Sequence, residues 1–239
     1  LGNARAPGRR PDTPMKPSDV EALFASLAAA NPSPRSELEY SSVFELLIAV
    51  LLSAQATDVG VNKATRRLFA RAPTPQAMVN LGVEGIAAEI RTLGLYRAKA
   101  RHVESACRLL LARHDGRVPG DREALEALPG VGRKTANVVL NIAFGRPTIA
   151  VDTHVFRVAN RTGLATGRSP LEVERALLAR TPPAYLQDAH HWLILHGRHV
   201  CQARKPQCGR CTVRAWCRHA RSSPAGSAPG LAPTMEPSP

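Results

Sequence analysis

Apolar residues in this chain recur three and four positions apart and seldom alternate, so the predicted elements are helices. Val20, Leu23, Phe24 and Leu27 share one helical face behind a Ser18–Glu21 capping box, and Asn31-Pro32-Ser33-Pro34 ends that run. A second capping box, Ser42 to Glu45, opens Val43 to Leu52, which is apolar nearly all round and reads as a central buried helix. The short, polar Ser53-Ala54-Gln55-Ala56-Thr57-Asp58 follows, with Asp58 the expected N-cap of a helix reaching Phe69. Further helices are predicted at 75–80, 83–92 and 96–113; in the last, Cys107 lies on one face with Val103, Leu110 and Leu111 and reads as a core residue. After residue 144 the helical pattern resumes at 153–161, 171–180 and 184–196. No repeat at solenoid spacing is present, and the predicted fold class is all-α with short connections.

One stretch departs from this rhythm. In Leu128-Pro129-Gly130-Val131-Gly132-Arg133-Lys134-Thr135-Ala136, Pro129 stops a helix begun near Glu123, and a second, apolar helix runs from Thr135 to Phe144. Gly130 and Gly132 let the chain reverse tightly and approach another surface. Unshielded amides at a helix N-terminus form an anion site, and phosphate is the usual anion. A Walker loop is excluded, because its earlier glycine is missing and Arg133 separates Gly132 from Lys134. A dinucleotide fingerprint needs a preceding strand and a glycine where Thr135 stands.

Composition sharpens the choice of partner. The 239 residues are 44% hydrophobic, enough for a core, and only 4% aromatic. A net charge of +13 and a pI of about 10.5 favour a polyanion, with nucleic acid the first candidate. No apolar run reaches the ~18–20 residues of a membrane span. Residues 1–14 lack an apolar signal core and read as a disordered extension, although three arginines against one acid also fit a transit peptide. The Ser/Pro/Ala/Gly-rich tail 222–239 reads as disordered.

Two further groups carry chemistry. Asp152, in Val151-Asp152-Thr153-His154, precedes an apolar-periodic segment and is suited both to an N-cap and to pairing with Lys134 across a cleft. Cys201, Cys208, Cys211 and Cys217 are spaced C-x6-C-x2-C-x5-C, which leaves zinc and an iron–sulfur cluster both open. His190, His191, His196 and His199 have no accompanying acidic ligand motif and read as helix-surface and packing residues. Arg198, Arg204, Lys205, Arg210, Arg214 and Arg218 crowd the cysteine region, and some of them are expected to offset a thiolate cluster.

The hairpin string, the Val151–Val158 segment, and Trp192-Leu193-Ile194-Leu195-His196-Gly197-Arg198 before the cysteines together resemble the helix-hairpin-helix DNA glycosylase superfamily, its endonuclease III family in particular. The resemblance runs from about Met15 to His219 and implies two helical domains with DNA in the cleft between them. One would be a six-helix module, 36–146; the other would join 15–35 to 147–221 and carry a [4Fe-4S] cluster on the four cysteines. It further implies base-excision repair of oxidised pyrimidines, with Lys134 as nucleophile at the sugar, Asp152 serving the reaction, and strand cleavage by β-elimination at the abasic site. Gln55 and Leu95 match the residues that fill the gap left by a flipped nucleotide, although Leu95 also suits inward packing. Gly130, Val131, Gly132, Arg133, Thr135, His154, Arg204 and Lys205 are the remaining expected DNA contacts. The expected partner is duplex DNA bearing oxidised bases or abasic sites, met by an intracellular, nucleoid-associated monomer of bacterial type. Rival readings are a monofunctional adenine or mismatch glycosylase and a non-catalytic DNA-binding or redox-sensing module.

Lysine sets the hardest condition. With an ordinary pKa near 10.4, an amine costs about 4.6 kcal/mol to neutralise at pH 7, more than the ~0.3–1 kcal/mol that a helix terminus offers. Burial must therefore supply most of the shift.

Overall fold

The computed structural model describes residues 14–222; the expected disordered segments 1–14 and 222–239 lie outside them except for Pro14 and Ser222, the latter ending a helix. The described residues form eleven α-helices and three short 3-10 turns, with no strand among them. In chain order the helices are α1 (Pro17–Ala30), α2 (Val43–Leu52), α3 (Asp58–Arg71), α4 (Pro75–Glu89), α5 (Tyr96–His114) and α6 (Arg122–Glu126). They continue as α7 (Arg133–Phe144), α8 (Thr153–Thr162), α9 (Pro170–Arg180), α10 (Leu186–His199) and α11 (Arg218–Ser222). None of these is long and apolar enough to cross a membrane.

Two main apolar cores organise them. One is drawn from α2 to α7, with Leu47, Ile48, Leu68, Met78, Ile86 and Leu110 wholly buried. In α2 nine of ten residues are buried, as its all-round apolarity predicts. The other core joins α1 to α8, α9 and α10, where Phe24, Tyr185 and Trp192 pack ring on ring. The Trp192 indole N–H also reaches the Asn31 carbonyl at 2.8 Å, so the ring is satisfied at its polar edge as well as packed.

The connection between the cores is held by polar side chains as well as by a small apolar cluster of Leu46, Val50, Val138 and Ala150. Thr148 Oγ1 donates to the Asn137 carbonyl at 2.6 Å, and Asn141 Nδ2 donates to the carbonyls of Thr148 (3.1 Å) and Gln187 (2.9 Å). Asn137 and Asn141 sit on the buried face of α7. They therefore fix the route from the end of α7 to the start of α8, which sets where Asp152 lies relative to Lys134.

Several element ends differ from expectation. α1 starts one residue before Ser18, with Pro17 in its first turn and no side-chain cap, so the Ser18–Glu21 pair lies inside the helix. Ser42 does cap α2, accepting from the Glu45 N–H at 3.1 Å, while the Glu45 carboxylate accepts from Ser41 instead. Thr57, not Asp58, caps α3 through the Gly60 N–H, because the Asp58 carboxylate is taken by Arg198. The predicted break between 80 and 83 appears as a kink in α4 at Gly82, whose φ is 70°.

Candidate active site and cysteine cavity

The hairpin uses its two glycines differently. Gly130 turns the chain at φ 80°, and a Cβ there would meet His102 at 2.9 Å. Gly132 has ordinary extended backbone as the N-cap of α7, so its conformation does not demand glycine. It offers no side chain to cap the first amides of α7, and a Cβ would point into open space. Those amides are therefore available to an anion. Val131 is buried between the glycines and anchors the turn in the core. The Arg133 side chain is already engaged, since Nε and Nη2 donate to the two carboxylate oxygens of Glu174 on α9 at 2.9 and 2.8 Å.

Lys134 and Thr135, in the first turn of α7, face Asp152 and His154 at the start of α8 across a cleft of about 1560 Å³. Gln55, from the segment after α2, lies on the same cleft. Burial pushes the Lys134 amine below the ordinary lysine range; Asp152 and Asp58 pull it back up, and Arg198 pushes it down again. Burial is the largest of these causes, and it acts in the direction that the sequence requires.

Asp152 caps α8 and also lines the cleft that Lys134 lines. Its Oδ1 accepts the N–H groups of His154 and Val155, each at 2.8 Å, which is the N-cap role. Both bonds converge on one oxygen, leaving Oδ2 for the cleft. His154 Nδ1 lies 3.1 Å from Arg157 Nη2, and that guanidinium also donates to the carbonyls of Gly197 and Cys201. The wall beside the site is thus tied to the entry of the cysteine region.

Behind Lys134 lies a layer that sequence reasoning did not find. His190 is buried, and its pKa is pushed down to about 3 by burial first, then by neighbouring positive groups that include Lys134. It is neutral, and with Nδ1 2.9 Å from the Ala150 carbonyl, Nδ1 must carry the proton. Beside it, one Arg198 nitrogen donates to both Asp58 and Glu37. Arg198 therefore faces the cleft rather than offsetting the cysteine group. His190, His191 and His196 are all buried, so only His199 of the four is a surface residue. The only sequence signal was an apolar α10 carrying an arginine among histidines.

Leu95 is 64% exposed, and its backbone is left-handed at φ 58°; inward packing does not hold. Gln55 shares that unusual backbone at φ 53°. Arg204 and Lys205 lie exposed in the first loop between the cysteines.

Cys201, Cys208, Cys211 and Cys217 line a single cavity of about 330 Å³, together with His196 and Arg214. All are free thiols, so no disulfide competes for them. Arg161 stabilises the entrance, donating to the Gln202 and Ala203 carbonyls at 2.7 and 2.6 Å and approaching Cys201 Sγ at 3.7 Å. Among the described residues no three potential ligand side chains converge on the position of a single ion. Cys107, by contrast, is buried among apolar neighbours, its thiol pushed up to about 12 by burial and by Glu104.

Comparison with known proteins agrees with this geometry. Residues 48–183 match the model of the HhH-GPD superfamily of base excision DNA repair proteins. The chain is 60% identical over 197 residues to endonuclease III of Escherichia coli (strain K12), an alignment spanning 82% of this chain and 93% of that protein. It is 57% identical over 197 residues to endonuclease III of Haemophilus influenzae (strain Rd), with the same coverage. Its fold superposes with a TM-score of 0.82 on a trapped endonuclease III–DNA covalent intermediate in an estranged-adenine complex, at 44% identity, covering 87% of this chain and 98% of that one. The chain belongs to the helix-hairpin-helix superfamily of base-excision repair proteins, within the endonuclease III family.

Proposed function

We propose that this protein is a bifunctional DNA glycosylase and abasic-site lyase that removes oxidised pyrimidines from duplex DNA, with Lys134 as its nucleophile. One observation carries the reading: a lysine in the first turn of α7, its amine made less basic by burial, lies on the same cleft as the Asp152 carboxylate. The uncapped amides of the hairpin and the +13 charge supply the electrostatic grip on phosphate. Arg204 and Lys205 extend that grip, whereas Arg133, held by Glu174, contributes chiefly its backbone amide.

The chemistry follows from these groups. A flipped nucleotide brings its C1′ to the Lys134 amine, whose lone pair attacks as the glycosidic C–N bond breaks and the electron pair leaves with the base. The nitrogen, now positive, passes a proton to Asp152 Oδ2. Opening of the sugar ring gives a Lys134 imine. That imine acidifies C2′, and loss of a C2′ proton expels the 3′ phosphate, breaking C3′–O. Water then hydrolyses the imine and frees the lysine.

The donor set fits a [4Fe-4S] cluster, with four thiols lining one cavity. Cys201, Cys208, Cys211 and Cys217 would hold it, and its chemistry there would be a multi-sulfur cross-link fixing residues 201–217. The two apolar cores support dividing the chain into 36–146 and 15–35 with 147–221. We read the enzyme as a monomer acting on chromosomal DNA inside the cell.

Product analysis tests the function. On a duplex carrying one thymine glycol the protein should release the free base and leave a 3′ unsaturated aldehyde at the nick. Base release without a nick would favour the monofunctional reading, and neither product would refute both.

A further inference from the structure

Two loops come from different helices: 53–57 after α2, which lines the cleft, and 93–95 before α5. Each holds a non-glycine residue in the left-handed region, Gln55 at φ 53° and Leu95 at φ 58°. Such backbone persists only where its surroundings over-determine it. Lys99 ties the first turn of α5, just after Leu95, to the end of α2, three residues before Gln55. Its backbone N–H donates to the Leu95 carbonyl at 3.0 Å, and its buried side chain reaches 47 positions back, Nζ donating to the Leu52 carbonyl at 2.9 Å.

The Leu52 carbonyl needs that donor. Leu52 ends α2, and the amide four residues on, Ala56, bonds the Ser53 carbonyl at 3.1 Å instead. An orphan carbonyl at a helix C-terminus favours a cationic donor. Burial lowers the basicity of the Lys99 amine, yet charged or neutral it keeps an N–H to donate. Placing an amine in a core is costly, and an apolar side chain would fill the space without that cost.

We propose that Lys99 is a positioning residue that holds the Gln55 and Leu95 loops in one register, so that both enter the duplex together as the target nucleotide leaves the stack. This rests on the glycosylase reading of the cleft.

The test compares Lys99→Met, which keeps length and loses the donor, with Lys99→Arg, which restores a donor. Each variant, with folding checked by circular dichroism, is assayed under single turnover on two substrates: a thymine glycol in a fully paired duplex, and the same lesion inside an unpaired bubble. On the bubble no stacked partner has to be replaced. Lys99→Met should lose about tenfold to a hundredfold on the paired duplex, the scale of a ~1 Å misplacement, and less than about threefold on the bubble. Lys99→Arg should recover part of the paired-duplex rate. Equal losses on both substrates, or no loss on either, would overturn the proposal. Failure of the unaltered protein on both substrates would instead sink the glycosylase reading, and this proposal with it.

Discussion

Arg198, near the end of α10, binds the carboxylate of Asp58 in the first turn of α3. The pair lies beside Lys134, where Asp58 raises the basicity of the amine and Arg198 lowers it. Each partner therefore cancels part of the other's field at the nucleophile. Removing the arginine alone should leave an uncompensated carboxylate. Lys134 reacts as the neutral amine, so a raised pKa means a smaller reactive fraction at pH 7 and a rate profile displaced to higher pH. Arg198→Met should move the profile to higher pH, since the carboxylates it neutralised then favour the ammonium. Adding Asp58→Asn should move it back. Imine formation measured from pH 6 to pH 9 checks this; an unmoved profile would show that the pair has no electrostatic hold on Lys134.

His190 ties stability to pH. Its folded-state pKa of about 3 lies below the ordinary 6.5, so between those values the unfolded chain binds a proton that the folded chain refuses. Stability should be full above the unfolded pKa and fall as pH drops from 6.5 toward 3. At pH 5 the loss from this residue is about 2 kcal/mol. Urea denaturation at pH 7 and pH 5 should show that decline, and His190→Gln should reduce it, leaving the share of the buried His191 and His196, whose pKa values burial also lowers.

Glu174 is nearly inaccessible, at 4%, while Arg133 opposite it is 44% exposed and Arg122 lies 3.6 Å away. Loss of the carboxylate removes the link between the hairpin and α9. The guanidinium of Arg133 can turn to water, so Glu174→Ala should cost about 1–3 kcal/mol, below the range for a fully buried pair. Chemical denaturation measures the cost. A second expected effect is weaker DNA binding, since the tie that orients the hairpin is gone.

The cysteines should divide sharply. Serine at 201, 208, 211 or 217 is expected to remove iron and broad visible absorption from the purified protein, whereas Cys107→Ser should keep both. Iron assay and absorbance decide it, and a colourless, zinc-containing wild type would contradict the cluster.

Much of this was legible in the sequence, for reasons that depend on range. Helix periods, the Ser42 cap and the hairpin involve neighbours a few residues apart, and they could be read from spacing. Asp152 looked like either an N-cap or a reactive carboxylate, and two bonds on one oxygen allow it to be both. What escaped were pairings across the chain. Asp58 was assigned a cap that Thr57 performs, because its partner lies 140 residues away. Arg133 and Glu174, 41 residues apart, gave no local sign of their pairing. His190 was grouped with helix-surface and packing residues, and only the burial of most of α10 shows it to be one of the latter. Long-range charge pairing leaves no period in a sequence, which is why the layer behind Lys134 appeared only in three dimensions.

The central claim is that one amine, in the first turn of α7, forms a covalent link to the sugar. Borohydride reduction during reaction with a duplex containing an abasic site measures this directly. The unaltered protein should become covalently joined to the DNA, and Lys134→Ala should yield no adduct while still binding the duplex. An adduct of undiminished yield in Lys134→Ala, or none with the unaltered protein, would contradict the account.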